Sequence, residues 1–149
     1  TLELEDFVES GLRVEIAYSL HFPEEKQRRN MIPYPRLLSI EKALTLLESY
    51  HLQAGRNVSI EYLMLHKVND SPEHAKNLIK LIGERPFLVN LLPFNPISSA
   101  PFLASKPEKI RQFKQILQDA GVKATVRKPR GLEIEAACGQ LRLKAKKSN

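Results

Sequence analysis

Phe87-Leu88-Val89-Asn90-Leu91-Leu92-Pro93-Phe94-Asn95-Pro96 is the stretch on which the fold turns. Its first six residues are almost continuously apolar, the pattern of a strand covered on both faces as in the middle of a parallel sheet. Pro93 and Pro96 cannot extend a ladder, so regular structure should stop around Phe94 and Asn95. On the amino-terminal side, Val58 to Leu65 alternates through Val58, Ile60, Tyr62 and Met64, which predicts a second strand. Arg13 to Leu20, with Val14, Ile16, Tyr18 and Leu20 on one side, predicts another, and Val122 to Val126 a last one.

Helical patterns fill the intervals. Ser39 is placed to cap a helix carrying Ile40, Ala43, Leu44 and Leu47, which Gly55 closes. Ser71 with Pro72 just inside opens a helix striped by Ala75, Leu78, Ile79 and Ile82 before Gly83. Ser105-Lys106-Pro107-Glu108 has the form of a capping box ahead of Ile110, Phe113 and Leu117, and Gly121 ends that segment. Leu4 to Ser10 reads as the end of a helix stopped by Gly11, Pro23 to Asn30 as a short surface helix, and Met31 to Leu38 as a loop. A short helix is expected around Cys138. Residues 1–141 read as one domain, and Arg142 to Asn149 as a basic disordered tail.

Strands alternating with helices imply an α/β fold of parallel βαβ units with right-handed crossovers. Ligands in such folds gather at the carboxyl ends of strands. Ser19 and His21, His66 and Asn69, Asn95, and the Cys138 loop all follow predicted strands, so they should share one rim.

Composition narrows the partners. The 149 residues carry a net charge of +6, which suits a polyanion. No apolar run approaches the ~20 residues of a membrane span, and the start Thr1-Leu2-Glu3-Leu4-Glu5-Asp6 lacks the cationic region of a secretion signal. One cysteine precludes an internal disulfide and fits a reducing, cytoplasmic setting. His51, His66 and His74 have no metal-binding spacing and read as surface residues, so no metal site is expected. Glu24-Glu25 and the Glu133 and Glu135 pair do not read as a catalytic dyad. Cys138 itself lies behind Arg127, Lys128 and Arg130 and between the small residues Ala137 and Gly139. Nearby cations favour the nucleophilic thiolate, although a lone cysteine is more often a small buried hydrophobe.

Five segments carry a resemblance. They are Ser19-Leu20-His21, Lys67-Val68-Asn69-Asp70-Ser71-Pro72-Glu73-His74-Ala75, Val89-Asn90-Leu91-Leu92-Pro93-Phe94-Asn95-Pro96, Thr125-Val126-Arg127, and Arg130-Gly131-Leu132-Glu133-Ile134-Glu135-Ala136-Ala137-Cys138-Gly139-Gln140-Leu141. In order and kind they resemble the C-terminal part of the RlmN/Cfr family of radical-SAM methyltransferases, which modify an adenine of ribosomal RNA and, in some members, of tRNA. The chain departs from the family's usual motif at Leu132, where an acidic residue is common. The resemblance implies about half of a partial (β/α) barrel, with a C-terminal strand and short helix. It also implies that Cys138 carries the methyl group transferred to adenine C2 of 23S ribosomal RNA. By the same resemblance Ser19, Leu20, His21 and Asn95 bind S-adenosylmethionine; the cations Arg127, Lys128 and Arg130, with the basic tail, are expected to meet RNA phosphates, a solvated basic face being the competing reading. A 4Fe-4S cluster needs three thiolates in this family, so its ligands are expected in an N-terminal part beyond this chain, and the chain alone is expected to be inactive. A half barrel should also self-associate through its uncovered sheet edge. The alternative reading is a non-catalytic basic α/β module that binds RNA or a protein partner.

Overall fold

A computed structural model of the protein describes residues 4–95 and 101–127. The elements run α1 (Leu4–Glu9), β1 (Ile16–Ser19), α2 (Glu25–Met31), α3 (Ile40–Ala54), β2 (Val58–Met64), α4 (Pro72–Ile82), β3 (Leu88–Pro93), α5 (Pro107–Asp119) and β4 (Ala124–Val126). The expected short helix around Cys138 and the basic tail lie outside the described residues, as do Lys128 and Arg130.

All four strands pair in parallel in the order β1-β2-β3-β4. Each strand therefore joins its neighbour in the chain through a helical crossover, and crossovers of one hand put their helices on one face. A doubly wound sheet reverses its strand order part-way. This sheet does not reverse, and its order is that of a barrel wall. The α/β class and the parallel βαβ units are as expected from the sequence.

The caps explain where the helices begin. Ser39 Oγ accepts the Lys42 N–H at 3.3 Å, and Gly55 closes α3 at φ +62° while its N–H bonds the His51 carbonyl. Ser71 does the same for α4 through the His74 N–H, with Pro72 at the first helical position. The capping box expected at Ser105 is not formed. Lys106 occupies the cap of α5 without a side-chain bond, and Ser105 Oγ donates instead to Asp70 Oδ2 at 2.8 Å. A hydrogen bond to a buried carboxylate is stronger than one to an exposed helix end. Pro107, lacking an N–H, leaves one donor fewer to satisfy.

The helix-covered face of the sheet presents Val58, Ile60, Tyr62, Met64, Val89, Leu91 and Ala124, which pack with Leu44, Leu47, Leu78, Phe113 and Leu117 into one core. Fully burying one such large side chain stabilises by about 1.5–3 kcal/mol, so this layer holds the helices to the sheet. Alternation puts Ala17, Ser19, Ser59, Glu61, Leu63, Leu88, Asn90, Leu92 and Thr125 on the opposite face. None of them joins the core, and Ala17, Ser19 and Thr125 are exposed. The expectation that Phe87–Leu92 is covered on both faces is corrected accordingly. Val89 and Leu91 are fully buried, but Leu88, Asn90 and Leu92 are only half-buried. The ladder of β1 also starts later than the alternation suggested, with Val14 at 48 % exposure outside it.

Candidate functional site

Parallel strands send everything that follows them to the same end of the sheet. Ser19 is the last residue of β1, exposed on the open face. His21 stands two residues further on, Leu65 to Ser71 follow β2, Asn95 follows β3 and is exposed, and Arg127 follows β4, also exposed. The rim expected from the sequence is thus present for its described members. Leu20 differs from its neighbours: its side chain is 0 % exposed and belongs to the core, so this position can offer a ligand only its main chain.

His21 is held by three hydrogen bonds of its own and one that spans it. Its backbone is left-handed at φ +58°, a conformation rare for a residue with a Cβ, and the non-glycine Lys67 in the segment after β2 shares it at φ +57°. Such strain of about 1 kcal/mol or more persists only where neighbours impose it. Here the His21 N–H donates to the Glu61 carbonyl at 3.3 Å, and the Phe22 N–H bonds back to Leu20 at 2.7 Å. The His21 carbonyl accepts from Asn69 Nδ2 at 2.8 Å, and Nδ1 accepts the Leu63 N–H at 3.1 Å. With Nδ1 an acceptor, the neutral ring must carry its proton on Nε2. Burial holds the ring below the ordinary histidine value, with the Glu61 charge opposing the shift and Arg28 adding to it. His21 therefore offers the rim a neutral N–H donor and not a cation.

The segment Lys67–Ala75 builds the clasp that fixes this geometry. Asn69, 0 % exposed, accepts the Leu65 N–H through Oδ1 at 2.8 Å and donates to the Leu63 carbonyl at 2.6 Å as well as to His21. Tyr62 Oη donates to the Asn69 carbonyl at 2.8 Å. Buried Asp70 accepts from the Lys67 N–H and from Ser105 Oγ, which ties the end of β2 to the segment entering α5. The sequence pattern placed Asn69 on the rim but gave no sign that it is the joint between β1 and β2.

A second group joins Ser19 to side chains whose part the sequence did not show. Ser19, Glu61, Asn90 and Thr125 are direct partners across all four strands and form one polar row on the open face. Glu61 Oε1 accepts from Ser59 Oγ at 2.9 Å and from Asn90 Nδ2 at 3.2 Å, and Asn90 Oδ1 accepts from Thr125 Oγ1 at 2.5 Å. Below the row, towards the amino ends of the strands, the open face forms a depression of about 430 Å³ bordered by Glu15, Asn57, Ser59, Asn90 and Lys123. Among the described residues no three His, Cys, Asp or Glu side chains converge as metal ligands. None of the described helices is long and apolar enough to cross a membrane.

Comparison with known proteins shows what the chain resembles. No family model matches the chain. A probable dual-specificity RNA methyltransferase RlmN of Symbiobacterium thermophilum is 39 % identical over 142 residues, covering 95 % of this chain and 38 % of its own length. The protein of the same name from Enterococcus faecalis is 38 % identical over 148 residues, covering 97 % of this chain and 42 % of its own. Among solved structures, a radical SAM methyltransferase from Sphaerobacter thermophilus matches with a TM-score of 0.83 and 36 % identity, over 93 % of this chain and 41 % of the other. A domain of a pyruvate-formate lyase-activating enzyme from Bacteroides vulgatus matches with a TM-score of 0.62 over 84 % of this chain and 73 % of that one; at 19 % identity it shares the fold. The chain spans about two fifths of the length of the curated relatives it matches. Over the stretch it spans, the chain is similar to the RlmN-type radical SAM methyltransferases.

Proposed function

We propose that this chain is the C-terminal segment of an RNA methyltransferase that modifies adenine C2 of 23S ribosomal RNA, and of tRNA in a dual-specificity enzyme, by way of a methylated Cys138. The observation that carries the reading is the rim itself: four parallel strands deliver the polar residues Ser19, His21, Asn95 and Arg127 to one end of the sheet. Relatives named as RNA methyltransferases support the substrate class.

The residues fit S-adenosylmethionine, which when bound supplies the methyl group and the radical chemistry. Ser19 offers a hydroxyl, His21 an Nε2–H donor and Asn95 an amide at the strand ends where small ligands bind. They do not fit the 4Fe-4S cluster: one cysteine in 149 residues cannot supply three thiolates. The cluster's ligands therefore come from outside this chain, which by itself is inactive. Arg127, Lys128 and Arg130 contact RNA phosphates, which set affinity and position but not sequence choice. An enzyme acting on ribosomal RNA works in the cytoplasm.

Mass spectrometry of the full-length protein tests the reading. A methyl group on Cys138, together with loss of RNA methylation in Cys138→Ala, is the expected result. Methylation that persists in Cys138→Ala refutes it.

A further inference from the structure

Glu61 is 8 % exposed, yet it sits mid-strand on the face that none of the described helices covers. Both hydrogen bonds of its side chain among the described residues, from Ser59 Oγ at 2.9 Å and Asn90 Nδ2 at 3.2 Å, end on Oε1. Oε2 receives none among the described residues. Oε2 is not among the buried atoms that lack a partner, so the carboxylate is held on one oxygen and keeps the other for a further donor. Thr125 Oγ1 bonds Asn90 Oδ1, which turns the Asn90 amide toward Glu61. One oxygen is thus pinned from two sides and the other is left free.

The register shows what lies beside that free oxygen. Ser19 is the direct partner of Glu61 on the adjacent strand and shares its face. Paired strands are about 4.8 Å apart, well within the reach of a glutamate side chain. A ligand that touches the Ser19 hydroxyl therefore passes over Glu61.

We propose that Glu61 contacts the cofactor directly, Oε2 accepting a hydrogen bond from an O–H or N–H group of S-adenosylmethionine, with Asn90 and Thr125 as positioning residues. The proposal rests on the reading of the β1 end as a cofactor site. A carboxylate suits either donor set the cofactor carries, the ribose hydroxyls or the amino-acid ammonium, since both hydrogen-bond more strongly to an ionised acceptor.

Calorimetric titration of the full-length protein with S-adenosylhomocysteine is the test. Glu61→Gln keeps an amide oxygen for Ser59 and Asn90 but removes the charge. It should raise Kd about ten- to a hundredfold, the weight of one hydrogen bond to a charged group, with little change in Tm. Repeating the titration with adenosine and with methionine separates the donors: the fragment whose binding weakens carries the group that Glu61 meets. Thr125→Val, at an exposed position, should weaken binding about three- to tenfold by freeing Asn90, and Thr125→Ser should restore it. Wild-type binding with Kd within twofold in Glu61→Gln overturns the proposal and leaves the cofactor site standing. If the wild type takes up no S-adenosylhomocysteine, the cofactor reading falls and this inference falls with it.

Discussion

Replacing Asn69 by alanine should unfold the rim from beneath. The side chain makes three hydrogen bonds with no exposure to water, to the Leu65 N–H and to the carbonyls of His21 and Leu63. Each buried polar group left without a partner costs about 1–3 kcal/mol. The N–H loses its acceptor outright, whereas a carbonyl can share another donor, so the sum is about 3–4 kcal/mol. That is a large part of the ~5–15 kcal/mol by which domains are stable, and for a chain of this size it lowers Tm by about 10–15 °C. Urea unfolding measures it as a fall in midpoint at constant m. Asn69→Asp sharpens the test: it keeps the acceptor for Leu65 but turns an oxygen toward two carbonyls, so it should be no better than alanine. A loss below about 1 kcal/mol in Asn69→Ala would mean that the clasp does not hold the strand ends, and the account of His21 would go with it.

Further outcomes follow from the same contacts. Because burial depresses the His21 pKa below its ordinary 6.5, the unfolded chain takes up a proton that the folded ring resists. Stability should be full above pH 6.5 and decline as pH falls from there toward the folded value; His21→Gln should remove that part of the slope between pH 8 and 5, and equal slopes would refute it. Tyr62 has the opposite arrangement. Burial raises its phenol above 10.0, so stability should fall as pH rises past 10, and Tyr62→Phe should flatten that fall while costing about 1 kcal/mol at neutral pH for the lost bond to Asn69. The isolated chain, with β1 unpaired along one side among the described residues and Leu63, Leu88 and Leu92 half-buried on the open face, should self-associate. A clean monomer in light scattering at high concentration counts against this.

Most of the architecture was legible because it is local. The Ser39 and Ser71 caps, the glycine stop at Gly55 and the alternation in Val58–Met64 need only neighbours in sequence, and all appear as expected. What failed depends on partners far along the chain. Ser105 has the spacing of a cap but answers to Asp70, thirty-five residues away. The apolar run at Leu88–Leu92 showed that these side chains leave water, not that one side would have none of the described helices over it. The row from Ser19 to Thr125 is invisible until register aligns four separate strands, although Ser59 and Glu61 two residues apart in an otherwise apolar strand were a signal that one face is polar. Cys138, Lys128 and Arg130 were the strongest marks in the sequence for function, and they lie outside the described residues.

The unreversed strand order has a kinetic meaning too. Ile16 meets Val58, Ser59 meets Leu88 and Val89 meets Ala124, so every pairing closes a loop of a few tens of residues onto the strand made just before it. Among the described strands, none pairs with one that is not its neighbour in the chain. During synthesis, at about 5–20 residues per second, this order lets each described strand emerge after the neighbour it pairs with.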